Sequence, residues 1–190
     1  STGLADIPLL AGIGIMGGAM FRDFAIVATA FGADLSALKR AGTVGAISIV
    51  VGVVLSFVIG VIVAVAFGYT DPIAVTTIGA GAATYIVGPV TGTALGAGSD
   101  VIALSVAAGL TKSVLVMIAT PFIAPRIGLD NPHSALIYGG LMGTTSGVAG
   151  GLAATDPKLV PYGAMTATFY TGMGCLLAPS ILYLGVRALL

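Results

Sequence analysis

The chain has no glutamate and no glutamine, one cysteine, one histidine, and very little charge of either sign. Charged side chains make up 7% of its 190 residues, against about a quarter in a soluble domain. That is too little polar surface to meet water on all sides, which excludes a soluble enzyme. Seven Lys and Arg offset seven acidic residues, all of them Asp. No one-signed field exists to recruit nucleic acid or a charged protein. Cys175 alone cannot build a disulfide framework or a multi-cysteine metal site. A nucleotide-phosphate loop of the form GxxxxGKS or GxxxxGKT is also absent, which argues against an ATP-driven pump in this chain. What remains is 57% hydrophobic, with a mean hydropathy of +1.13. This is the composition of an integral membrane protein.

The 29 glycines have no three-residue period and are separated by β-branched runs, so neither collagen nor low complexity applies. In a bilayer, small residues let helices approach closely, and glycine permits a broken helix where backbone lines a cavity. A helical crossing needs about 20 apolar residues. Six hydrophobic segments are expected, at 4–33, 41–67, 72–98, 100–126, 132–154 and 157–190, with no domain boundary among them. Helix starts are marked by Asp71-Pro72, Asn131-Pro132 and Asp156-Pro157, each a capping side chain before a first-turn proline, and by Asp100. Lys39-Arg40 read as a loop pair that nominates the cytoplasmic side. If each later segment crosses once, Lys158 shares that side while Arg126 and Arg187 lie opposite; a re-entrant segment would change the count.

Three segments carry breaks. The first holds Gly12, Gly14, Gly17 and Gly18, then Arg22-Asp23; the third holds Gly79, Gly81, Gly88-Pro89, Gly92 and Gly96. The fifth reads YGGLMGTTSGVAGGLAATD. Unpaired backbone in lipid costs several kcal/mol per group, roughly, so the breaks around Gly17-Gly18, Gly88-Pro89 and residues 143–147 should meet near mid-bilayer. Interrupted helices in corresponding places point to a transporter site. Gly14-Ile15-Met16-Gly17 echoes Gly140-Leu141-Met142-Gly143 at an offset of 126 residues, as Ala28-Thr29 echoes Ala154-Thr155.

The stretches GGAMFRDFAIVATAF, TTIGAGAATYIVGPVTG, GSDVIALS and GLAATDPKLVPYGAMTATF resemble the MadM subunit of bacterial malonate transporters over essentially the whole chain. More distantly, Gly88-Pro89-Val90-Thr91 and Gly143-Thr144-Thr145-Ser146-Gly147 occupy the places of two breaks in LrgB-type membrane proteins, although Gly147 stands where those have a histidine. The resemblance implies sodium-coupled malonate uptake together with a smaller membrane subunit, MadL, in the bacterial inner membrane. It implies an all-α, polytopic fold of inverted repeats with discontinuous crossing half-helices. Relatives of this kind have hydrophobic sequence upstream, which fits a chain that begins Ser1-Thr2-Gly3; it is read as a fragment or a processed chain.

A carrier of a short dianion must replace two carboxylate hydration shells with cations, helix N-termini and hydroxyls. Arg22 and Lys112 are the two cations inside segments. Arg22 follows Gly17-Gly18, where a broken helix would expose its terminus; the alternative places Arg22-Asp23 at the surface. Lys112 lies roughly 18 Å from either end of its helix, too deep to snorkel. It must face an Asp, backbone carbonyls or an anion. Thr91, Thr144 and Thr145 are further candidates for substrate, and Asp23, Thr91, Thr93 and Ser146 for sodium, since hydroxyls and freed carbonyls are hard oxygen ligands. Any one hydroxyl is more simply read as bonding within or between helices. Asp100 and Asp156 suit ordinary caps, Cys175 suits packing, and Tyr69, Tyr138 and Tyr183 look like interfacial anchors. The favoured function is a secondary carrier moving malonate inward with sodium by alternating access; the alternatives are an LrgB-like exporter or channel and a membrane scaffold.

Overall fold

By its contacts the chain divides into residues 1–34 and 35–190. The computed structural model describes residues 35–190, with side chains from residue 42. The segment at 4–33, its Gly17-Gly18 break, Arg22, Asp23 and one half of the 126-residue echo therefore lie outside the described residues.

The described unit is helical throughout. Helix α1, Leu35–Ala66, includes the backbone of Lys39-Arg40, so that pair is not a loop; the chain bends instead at Gly42, whose φ of 66° and ψ of −171° only glycine adopts freely. Then follow α2, Pro72–Ala83, and α3, Val87–Leu95. The long α4 is Ser99–Ile127. A second short pair, α5, Pro132–Met142, and α6, Thr145–Ala153, leads through the 3-10 turn Pro157–Leu159 into α7, Val160–Leu177. A π-helical turn, Ala178–Leu182, joins α7 to α8, Tyr183–Leu189.

The caps explain where these helices begin. Asp71 accepts from the Ala74 N–H at 2.8 Å, with Pro72 in the first turn where its missing N–H is no loss. Asn131 and Ser134 form a reciprocal capping box ahead of α5. Asp156 accepts from the Lys158 N–H at 3.0 Å. Asp100 departs from expectation: Gly98 is the cap of α4, and Asp100 sits inside the first turn, where its charge complements the helix dipole. Pro121 and Pro125 lie within α4, which ends at Gly128 with φ 64°.

Among the described residues, three spans are long and apolar enough to cross a membrane: Gly42–Ala66, Ser99–Ile127 and Pro157–Leu189. Their outward faces carry Ile47, Leu55 and Ile62 on α1, and Leu115, Ile118 and Phe122 on α4. Exposing such side chains to water would cost about 1.5–3 kcal/mol each; in lipid they are at home.

The two short pairs do something else. Gly88 abuts Gly81, and Gly92 abuts Thr77, so α3 runs back along α2 after reversing at Thr84-Tyr85-Ile86. Gly163 at the start of α7 touches both Ala135 at the start of α5 and Leu152 at the end of α6. Hence α6 returns to the level from which α5 set out. Both broken segments are re-entrant hairpins.

Helix α4 relates them. Gly81 faces Ser105 and Tyr85 faces Gly109, placing the first hairpin along the N-terminal half of α4. Ser113 faces Gly147, Met117 faces Gly150, and Thr120 faces Gly151, placing the second along its C-terminal half. The tips meet at the middle of α4, a helix about 43 Å long. In the first hairpin the leading arm, α2, runs parallel to α4; in the second, α5 runs parallel to α7, through the contacts of Gly139 with Thr166 and Gly143 with Tyr170. Since α7 continues past the first hairpin, with Gly174 on Val87, it is antiparallel to α4. The two units are thus inverted repeats. They are offset by 60 residues, as Asp71-Pro72, Gly79 and Thr84 recur as Asn131-Pro132, Gly139 and Thr144.

This topology corrects the sidedness count. Among the cations of the described residues, Arg126, Lys158 and those at the start of α1 share the side at the base of the second hairpin, and Arg187 lies at the base of the first. The first break also moves. It lies at residues 84–86, and Gly88-Pro89 belongs to the first turn of α3, where proline needs no N–H partner.

Candidate substrate site at the hairpin tips

The middle of α4 presents Lys112 and Ser113 side by side, one to each hairpin. The Lys112 ammonium donates to the Ala83 carbonyl at 2.9 Å, to Ser56 Oγ at 2.9 Å and to the Tyr170 hydroxyl at 3.3 Å. It also stands 5.1 Å from the centroid of the Tyr170 ring. Ala83 is the last residue of α2, so the charge sits at the negative end of that helix. Tyr170 spends its own proton on the Gly52 carbonyl at 3.2 Å, which leaves its oxygen to accept from Lys112. Of the three partners expected for Lys112, backbone carbonyls are among those found. Among the described residues its hydrogen-bond acceptors are all neutral, so none of these cancels its charge.

Ser113 holds the other tip. Its hydroxyl bonds Thr144 Oγ1, and Ser146 Oγ at 3.1 Å. Thr144 caps α6, accepting from the Gly147 N–H at 3.4 Å. Thr84 plays the same part in the first hairpin, accepting from the N–H groups of Ile86 at 3.2 Å and Val87 at 3.1 Å. At each tip a threonine, 60 residues from its counterpart, thus accepts from N–H groups at the opening of the returning helix. Tyr170, fully buried, connects the tips: its ring lies on Gly143 and its hydroxyl meets Lys112.

Of the expected hydroxyls, Thr144, Thr145 and Ser146 come together at the second tip, buried, half-buried and exposed in that order. Thr91 and Thr93 do not form a cluster. Thr91 is fully buried within α3, with no hydrogen-bond partner for its Oγ1, while Thr93 is exposed. Arg22, Asp23, Gly17 and Gly18 lie outside the described residues. Tyr138 is no interfacial anchor: it is buried, and its hydroxyl bonds Thr120 at 2.7 Å. Cys175 is free and half-buried, and His133 is exposed in the first turn of α5.

Sequence reasoning missed Ser56, Thr84, Ser113 and Tyr170. The 60-residue offset between the two proline-capped helices could have found Thr84, and adjacency to Lys112 could have found Ser113. Ser56 and Tyr170 carry no local signal.

An ammonium, two capped helix N-termini and a group of hydroxyls can desolvate and hold a small anion. Searches among curated proteins and among solved structures return no match. The family model described as the malonate/sodium symporter MadM subunit matches residues 1–190. The chain belongs to that family, and so is a membrane transporter subunit rather than an enzyme.

Proposed function

We propose that malonate binds between the two hairpin tips, against Lys112, Thr144 and Thr145, and crosses by alternating exposure of that site to the two sides. The supporting observation is the convergence of two helix breaks on one cation, Lys112, at the middle of a crossing helix, where its acceptors among the described residues are neutral. A charge at that depth is costly unless it serves a partner, and a dicarboxylate supplies one. Arg22, beside Gly17-Gly18, is the second cation proposed for the dianion. Sodium is proposed to bind hydroxyl and carbonyl oxygens, with Thr91, Thr93, Ser146 and Asp23 as the starting candidates.

The setting proposed is the bacterial inner membrane, with the smaller subunit MadL as partner. Positive residues favour the cytoplasmic side. With Lys39, Arg40, Arg126 and Lys158 at the base of the second hairpin, that base is proposed to face inward.

Malonate uptake into proteoliposomes, with and without an inward sodium gradient, tests this reading. Lys112→Met keeps apolar length and deletes a charge-assisted bond of about 1.5–3 kcal/mol, so half-maximal uptake should need at least ~10-fold more malonate. A correctly inserted Lys112→Met protein with unchanged malonate dependence would remove Lys112 from the site.

A further inference from the structure

The first hairpin contains an unusual pair. Among the described residues, Thr76 Oγ1 and Thr91 Oγ1 are the buried side-chain atoms without a hydrogen-bond partner. Both residues are completely buried. A helical threonine ordinarily returns its hydroxyl to the carbonyl one turn back, as Thr77 does to Ile73 at 2.7 Å and Thr171 to Ala167 at 3.1 Å. Thr76 and Thr91 do not, although a buried unpaired hydroxyl is destabilising.

The hairpin brings the two together. Gly92 abuts Thr77, and Thr91 and Thr76 are the residues immediately before that contact on their respective arms. In an antiparallel helix pair, the residues preceding a contact turn to the same side, because successive residues rotate by 100° and the two arms run in opposite senses. The neighbours one turn away identify that side. Ala80, one turn from Thr76, and Val87, one turn from Thr91, share a buried cluster with Ala178 of the π turn. That turn packs against both arms, and Pro179 within it contributes no N–H. The arms that carry the two unpaired hydroxyls thus pack against a helix that departs from regular hydrogen bonding, a feature often found where a helix serves a ligand.

We propose that Thr76 and Thr91 are ligands of a dehydrated sodium ion held inside the first hairpin, with carbonyl oxygens from the last turn of α7, where Pro179 offers no N–H, as its other hard donors. This deepens the sodium-coupled reading and rests on it. It places the ion within the arms of the hairpin, behind the tip that holds the substrate. Sodium then favours one packing of the hairpin against α7 and the π turn, and malonate binding at the tip gains from that choice. Thr76 is a ligand no resemblance suggested, and Thr93 and Ser146 leave the ion site.

The test uses the full-length transporter, with its partner subunit where assembly needs one. Thermal unfolding in detergent is followed across sodium concentrations at constant ionic strength, with potassium as the balancing ion and no malonate. In the unaltered protein, sodium should raise the midpoint. Thr76→Val and Thr91→Val should each raise the half-saturating sodium concentration at least ~10-fold, whereas Thr76→Ser and Thr91→Ser, which keep the oxygen, should stay close to the unaltered protein. Should a valine variant fail to insert, Thr→Ala at the same position removes the oxygen without adding bulk. If the hydroxyls have no ligand, replacing them with methyl groups raises stability equally in both salts and leaves sodium dependence unchanged; that result overturns the proposal. Loss of sodium dependence from uptake by the unaltered protein would instead overturn the sodium-coupled reading beneath it.

Discussion

Lys112 shows what a single residue reveals and what it hides. Its charge at the middle of a 29-residue apolar helix made an acceptor inevitable on energetic grounds, before any fold was known. Its acceptors were not readable, because Ser56, Ala83 and Tyr170 are brought to it from three other places in the chain. Threonine behaved in the opposite way. The sequence pattern around Thr144 pointed to a tip, whereas Thr84 looked like one hydroxyl among many until its 60-residue counterpart was placed. Both now accept from N–H groups at the start of a returning helix, and losing such a bond costs about 1 kcal/mol. Thr84→Val should therefore lower stability by ~1 kcal/mol and weaken malonate binding, while Thr84→Ser should restore both. Thermal unfolding and uptake kinetics on the pair check this. Equal behaviour of the two variants would show that the cap contributes nothing.

Among the elements, the helix starts were the most legible. Asp71-Pro72 and Asn131-Pro132 marked α2 and α5 because a capping oxygen and a proline both solve the problem of free N–H groups at a helix start. The return of each hairpin was not legible. Twelve and nine residues end to end are about 31 Å long, enough to cross once. A through-crossing and a hairpin share the same caps, lengths and apolar character. The difference lies in the link at 84–86 and in the single Gly143, whose φ of 71° turns the chain. Gly143 is also where Tyr170 rests. Gly143→Ala should cost at least ~1–2 kcal/mol, from the left-handed backbone alone, before the collision with the ring is counted. Tyr170→Phe keeps that ring and removes only its bonds to Lys112 and Gly52. It should lose about 1 kcal/mol and shift the malonate dependence of uptake. Stability and uptake measured on both variants separate the ring's packing from the hydroxyl's link, and unaltered uptake in Tyr170→Phe would deny the hydroxyl a part.

At the scale of the whole molecule, composition alone established an integral membrane protein, because so few charges leave no other solvent for the chain, and apolar runs of about 20 residues suited helical crossings. The inverted repeat emerged only from packing direction. Each hairpin lies along one half of α4, and the units run oppositely because α7 is antiparallel to α4. Such an arrangement gives each side of the membrane its own hairpin and both hairpins a shared meeting point. That is what alternating exposure of one site requires. The central claim is that the substrate occupies this meeting point. Tyr85 and Thr145, half-buried at the two tips and outside the caps, can each be replaced by cysteine in a Cys175→Ser background. The measurement is the rate at which a small thiol reagent modifies each cysteine, with and without malonate in saturating sodium. Malonate between the tips should slow modification at both positions. Rates at both positions that stay the same when malonate saturates uptake would contradict the account.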